Sequence, residues 1–341
     1  MKVAKYYKND DVRIEEMPIP EINDDELLVK VEASGICGSD VMEWYRIKKA
    51  PLVLGHEISG VVEKTGKNVK KFKEGDRVFV THHVPCNTCR FCLNDEHTIC
   101  KTLHSTNFYP GGFSQFLRVP SINVDRGTFL LPEEIDFEEG TFIEPLACVV
   151  RGFRKAGFEP SKTMLVMGSG IAGLLNIKLA KAYGATRVFA TDINDFRLQS
   201  AEELGADVSI HAEEDVSKIV KQNNDGRLAD FVVVCAGVKS AIRQAIECVE
   251  PGGTILWFAP TKPGVDVSFP FFKVWNKQIK MCSTYAGAPK DILESIDLLK
   301  SKKIRVKDMI THRLPMDKTP EGFKLVNQAE ESIKVVIKPN K

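Results

Sequence analysis

The sequence is poor in features that would send a chain into a membrane or onto a charged polymer. Across its 341 residues no apolar run approaches the ~18 that a membrane-spanning helix needs. The N-terminus, MKVAKYYKNDDV, lacks the apolar stretch of a secretory leader. Formal net charge is only +1, so there is no global electrostatic case for nucleic acid or anionic lipid as a partner. The basic run at 300–307, KSKKIRVK, is broken by Ile304 and Val306 and reads as a solvated helix end leading into a strand. Internal repeats and low-complexity segments are also missing. A cytoplasmic globular protein is expected.

What is present is an ordinary globular composition, 43% hydrophobic and 27% charged, in a chain long enough for two domains. Nine cysteines is an odd count, and four of them fall within 86–100 as Cys86-x2-Cys89-x2-Cys92-x7-Cys100. In an intracellular chain such crowding points to metal rather than disulfides. Two-residue gaps let one small loop present paired thiolates to a tetrahedral ion, and four thiolates leave no open position. A structural zinc is expected here, with His97 a surface residue inside the lobe. A redox role is disfavoured because no thioredoxin-like βαβ unit surrounds the cysteines.

The stretch 163–192 organises the second half. A short apolar strand at 164–167 runs into Gly168-Ser-Gly170-Ile171-Ala172-Gly173, then a helix over 174–183 and a second strand ending at Asp192. Three glycines serve a tight turn, backbone approach to a pyrophosphate, and close helix–strand packing. The helix start supplies free N–H groups for the anion. Asp192, nineteen residues past Gly173, is placed to take the ribose hydroxyls of NAD. Strands and helices then alternate, including the nearly all-apolar 230–236, as in a parallel sheet covered on both faces. The first 85 residues instead alternate in the manner of an antiparallel β-domain, which resumes at 111–119. The C-terminal strand at 333–338 is expected to return to it. Glu144 stands just before an apolar helix, where a carboxylate is costly unless paired, hydrogen-bonded or bound to metal.

Five motifs in order, GICGSD at 35–40, GHE at 55–57, the cysteine cluster, EP at 144–145 and GxGxxG at 168–173, resemble the zinc-containing medium-chain dehydrogenases. The closest likeness is to the polyol branch, the sorbitol-, galactitol-phosphate- and inositol-type enzymes. The resemblance implies an α/β architecture: a GroES-like β-rich catalytic domain at 1–151 and 286–341, and a Rossmann doubly wound parallel-sheet domain at 152–285. It implies a catalytic zinc held by Cys37, His56 and a carboxylate, either Glu57 or Glu144. Relatives exchange these two at the metal, and both stay open. It also gives Ser39 the substrate proton and Asp40 the orientation of the metal-bound histidine. Zinc would lower the pKa of a polyol or cyclitol hydroxyl, and hydride would pass to NAD to leave a ketone. Asp192 would repel a 2′-phosphate, and Arg197 matches a position flanking the adenosine.

Two departures stand out. Met42 occupies the place where many relatives carry the outer histidine of a proton relay, so the proton must leave by another route. The segment between Cys37 and His56 is also shorter than in sorbitol enzymes. A homodimer or homotetramer is expected, often built on the edge strand near 280–285. The aromatic stretch 269–275 suits a cleft lining, a subunit contact or a plain core role. A threonine-type dehydrogenase shares the motifs but should need a basic group for the substrate carboxylate. A non-catalytic zinc- and NAD-binding relative would be favoured had Cys37, His56 or Glu144 been missing.

Overall fold

A computed structural model describes every residue, Met1–Lys341. The chain divides into two compact units, Met1–Ala147 with Ala286–Lys341, and Cys148–Tyr285. The division falls inside the helix Ile143–Ala156, a few residues before the 151/152 boundary read from sequence.

The first unit is β-rich. Its larger sheet runs Ile310–Pro315, Lys334–Lys338, Leu27–Gly35, Glu57–Thr65, Arg77–Val80, Thr128–Leu130, with Phe116–Val119 also on Leu27–Gly35. The C-terminal strand therefore does return, with Val336 opposite Gly35. Leu27–Gly35 and Glu57–Thr65 pair antiparallel with Gly35 opposite Glu57. Alternate positions Leu27, Val29 and Val31 are fully buried with Ile58, Val78 and Leu117, the burial that fixes register in a half-covered sheet. A three-stranded sheet, Asp11–Glu16, Lys2–Lys8, Leu52–Val53, packs its Val3 and Tyr6 with Phe113 and Phe323. Between Cys37 and His56 the chain forms three short helical pieces, Gly38–Val41, Glu43–Arg46 and Ile47–Lys49. Glu144 lies within the first turn of its helix rather than before it.

The second unit holds one six-stranded, all-parallel sheet, in the order Val208–His211, Arg187–Asp192, Thr163–Met167, Ala229–Val234, Val249–Trp257, Lys280–Ser283. Numbered along this unit the order is 3-2-1-4-5-6, that of a dinucleotide-binding doubly wound fold, whose ligand crevice opens where the winding reverses. The central strands Thr163–Met167 and Ala229–Val234 are almost wholly buried, as strands covered on both faces must be. The aromatic stretch does not have the plain core role. Its helix, Phe271–Asn276, buries no residue, and Phe271, Phe272 and Trp275 are 70%, 72% and 66% exposed. The run 300–307 ends a helix as expected, Lys302 pairing with Glu139 and Lys307 with Asp136.

Candidate metal centres and dinucleotide cradle

The cysteine lobe is built almost entirely from its own loop. Cys86 and Cys92 sulfurs are 3.9 Å apart, Cys89 and Cys92 3.6 Å, and Cys86 and Cys100 3.6 Å. Four thiolates at ~2.3 Å from a tetrahedral ion stand about 3.8 Å apart, so the set fits zinc with little movement. None of the four is in a disulfide. Backbone N–H groups of Thr88 and Cys89 donate to Cys86 and bring its thiol down to about 5. Burial pushes Cys92 up to about 12, a charge cost that a divalent cation relieves. The lobe's own apolar cluster is only Cys92, Cys100 and Leu103 with the flanking cysteines, too little to hold it closed. His97 lies outside the sulfur set, its Nδ1 3.4 Å from Asp95.

The second cluster comes from distant parts of the first unit. Cys37 follows the strand Leu27–Gly35, Glu57 opens its neighbour and His56 stands just before it, so the sheet register brings them together. One ligand atom from each of Cys37, His56 and Glu57 lies within 4.8 Å of the others. Glu144 is not in that set. One sulfur, one imidazole and one carboxylate suit zinc and leave a fourth position for a substrate oxygen.

The surroundings fit a cation as well. Asp40 is fully buried, with Oδ1 3.4 Å from His56 Nδ1, the carboxylate–histidine arrangement that leaves Nε2 for a metal. Its Oδ2 accepts the Cys37 N–H at 3.1 Å, and Cys37 Sγ accepts the Ser39 N–H at 3.4 Å. Burial alone would raise Asp40, but His56, Arg46 and the Cys37 N–H hold it below the usual range. Burial would lower His56, yet Asp40 and the Cys37 sulfur hold it well above its ordinary value.

Three neighbours gave no signal in the sequence. Lys334, on the returning strand, is fully buried and pairs with Oε2 of Glu57 while lying 5.2 Å from the Phe142 ring centroid. Nothing local connects residues 277 apart. Arg46 donates to Ser39 Oγ at 3.0 Å and to the Ser39 carbonyl at 2.9 Å. The His82 ring is 4.9 Å from His56 and 3.7 Å from His83. Burial depresses both, His82 well below its ordinary value and His83 to about 3, so they stand as neutral rings.

In the second unit the strand Thr163–Met167 delivers the chain to Gly168 at φ +96°, a conformation that other residues resist. Gly170 caps the helix Ile171–Ala182, whose first N–H groups, those of Ile171 and Ala172 among them, have no intrahelical partner. A Cβ on Gly173 would stand 1.9 Å from the Gly168 carbonyl oxygen, so only glycine lets the helix close on the turn. Asp192 is buried, and its carboxylate accepts from Ser169 N at 2.8 Å, Ile193 N at 2.8 Å and Asn194 N at 3.1 Å. It thereby ties the glycine turn to the end of the second strand. The Arg197 guanidinium lies 3.9 Å from where a Gly170 Cβ would be, beside the same turn. The bare backbone at Gly168, Gly170 and Gly173 fits a pyrophosphate.

Comparison with known proteins agrees with both halves. Residues 23–126 match the alcohol dehydrogenase GroES-like domain, and residues 172–301 match the zinc-binding dehydrogenase domain. Sorbitol dehydrogenase of Gallus gallus is 33% identical over 96% of this chain and 93% of its own. The crystal structure of galactitol-1-phosphate dehydrogenase from Escherichia coli superposes with TM-score 0.86 at 27% identity, over 99% of this chain and all of that one. A zinc-binding dehydrogenase from Sinorhizobium meliloti bound to NADP gives 0.87 at 26%, over 99% of both chains. The chain belongs to the zinc-containing medium-chain dehydrogenases, on the side of the polyol enzymes.

Proposed function

We propose that the protein oxidises a secondary alcohol of a polyol or cyclitol to a ketone, with NAD as acceptor and two zinc ions per chain. The observation that carries the reading is the convergence of Cys37, His56 and Glu57 within 4.8 Å, with Asp40 behind the histidine. When bound, zinc supplies Lewis acidity that lowers the hydroxyl's pKa, and NAD accepts the hydride. The chain's own residues hold and orient. Cys37, His56 and Glu57 hold the catalytic ion, Asp40 sets the imidazole, and Lys334 fixes one oxygen of Glu57. Ser39 faces the substrate hydroxyl. The lobe of Cys86, Cys89, Cys92 and Cys100 holds the structural ion.

NAD rather than NADP is favoured by Asp192, an acid fixed by three backbone N–H groups where a 2′-phosphate would come. Arg197 then borders the adenosine and the turn. The substrate class rests on the sorbitol and galactitol-phosphate relatives.

The protein is further proposed to be a cytoplasmic homo-oligomer. No helix is long and apolar enough to cross a membrane. The strand Lys280–Ser283 forms an edge of the parallel sheet with unpaired backbone groups, and the exposed Phe271, Phe272 and Trp275 belong to the same unit.

The test is NADH formation over a panel of hexitols, cyclitols, sugar-alcohol phosphates and threonine, with and without a zinc chelator. Chelator-sensitive turnover of a polyol or cyclitol is the expected result. Turnover of threonine alone would replace the substrate class, and absence of all turnover with full zinc and bound NAD would sink the enzyme reading.

A further inference from the structure

Ser39 is the only hydroxyl within GICGSD, and its environment is unusual in one respect. Its oxygen accepts a hydrogen bond from Arg46 Nη2 at 3.0 Å, and the same side chain reaches the Ser39 carbonyl through Nε at 2.9 Å. Both ends of one residue are therefore gripped by one planar fork. Arg46 itself is held in place, its side chain only 14% exposed and its guanidinium carbon 4.7 Å from the Tyr45 ring centroid. It sits on the short helix Glu43–Arg46, inside the brief segment linking Cys37 to His56.

A serine oxygen has one proton to give and two lone pairs. The guanidinium only donates, so it occupies one lone pair and cannot receive the serine proton. Met42, on the stretch between them, offers no polar hydrogen-bonding partner of comparable strength. The Ser39 hydroxyl is left with one lone pair and one proton, both directed away from Arg46. We propose that Arg46 is a positioning residue for the dehydrogenase reaction, fixing the Ser39 oxygen so that its remaining lone pair accepts a hydrogen bond from the substrate hydroxyl. This rests on the reading of the Cys37–His56–Glu57 cluster as the catalytic zinc site.

Arg46 also pairs with the Asp40 carboxylate at 3.4 Å, the same distance as His56. Asp40 keeps the Cys37 N–H at 3.1 Å and His56 at 3.4 Å without it. Loss of the guanidinium thus leaves the carboxylate partnered, whereas Ser39 Oγ has no other side-chain partner among its hydrogen bonds. Arg46 can therefore act through Ser39 or through Asp40, and only the route through Ser39 disappears when Ser39 loses its hydroxyl.

A double-mutant cycle tests this with Arg46→Ala, Ser39→Ala and the pair. Arg46→Ala is expected to lower kcat about 10²-fold, the scale of a mispositioned reacting group, with KM for NAD unchanged. In the Ser39→Ala background the same change should cost no more than about 2-fold. Guanidine added to Arg46→Ala should restore part of kcat, and should restore none in the double variant. Arg46→Lys should recover only part, because a point charge cannot span both Ser39 atoms. Zinc content by metal analysis, read without substrate, should match the wild type in every variant.

Equal cost of Arg46→Ala in both backgrounds, or loss of zinc from Arg46→Ala, would overturn the proposal in favour of a purely structural arginine. The cycle can be run on whichever alcohol the wild-type enzyme oxidises. A wrong substrate class therefore leaves the coupling measurable, and an absent coupling condemns Arg46 without touching the substrate class.

Discussion

The two metal clusters of the first unit are built on opposite principles. The cysteine lobe draws all its ligands from the fifteen positions 86–100, and its geometry is a property of one loop. The second cluster joins Cys37 to His56 and Glu57 across a strand pairing, and adds Lys334 from the far end of the chain. A local cluster needs its metal in order to fold, having almost no apolar core of its own. A cluster assembled by a sheet is positioned before its metal arrives, because register and core packing place the ligands.

That contrast is sharpest in a pair of cysteine variants. Cys37→Ser should lower kcat/KM by more than 10³-fold, about 4 kcal/mol of transition-state stabilisation. It should retain one zinc and a melting temperature near that of the wild type. Cys89→Ser should also retain one zinc, but with a melting temperature several degrees lower. Metal analysis with calorimetry decides; equal destabilisation by both would erase the distinction.

Lys334→Met probes the scaffold behind the second cluster. Removing one partner of a buried ion pair leaves Glu57 uncompensated, a cost of about 3 kcal/mol or more. Urea denaturation should show that loss in metal-free protein and a smaller one in the zinc-loaded form, where the metal supplies the missing positive charge. An equal loss in both forms would detach Lys334 from the metal site.

Asp192→Ala probes the second unit, where selectivity is expected to rest on one acid. The ratio of kcat/KM for NAD over NADP should fall at least ~10-fold, about 1.4 kcal/mol. An unchanged ratio would move cofactor choice elsewhere.

The smallest effect belongs to the acids at 136–138, away from both clusters. Burial would raise Asp136, but the Glu139 N–H and Lys307 lower it. Burial would raise Glu138 too, but Arg313 and Lys338 lower it. Folded values below the unfolded ones give stability that is complete above the unfolded carboxylate range, near pH 4, and is lost as pH falls through the folded values. Glu138→Gln should therefore lower stability at pH 7 slightly and flatten the acid limb of a denaturation profile. A limb unchanged by the substitution would assign the acid loss to other groups.

The sequence by itself determined the cysteine lobe and the dinucleotide turn. Residues a few positions apart are placed by the backbone between them, so ligand spacing and glycine spacing translate directly into geometry. It also determined the alternation of strand and helix, because burial on two faces demands apolar runs such as 230–236. Only the tertiary structure brought Glu57 within reach of Cys37 and His56, through the pairing of two strands. The same holds for Lys334, which opens the strand Lys334–Lys338 and whose partner is 277 residues away, and for Arg46, whose hold on Ser39 depends on how a short helical segment folds back. The motif spacing singled out Asp192, but its three backbone donors were not legible, because they exist only once the turn and strand end are formed. The exposed Phe271, Phe272 and Trp275 show the same limit, since apolar character alone does not say which side of a fold a segment will face.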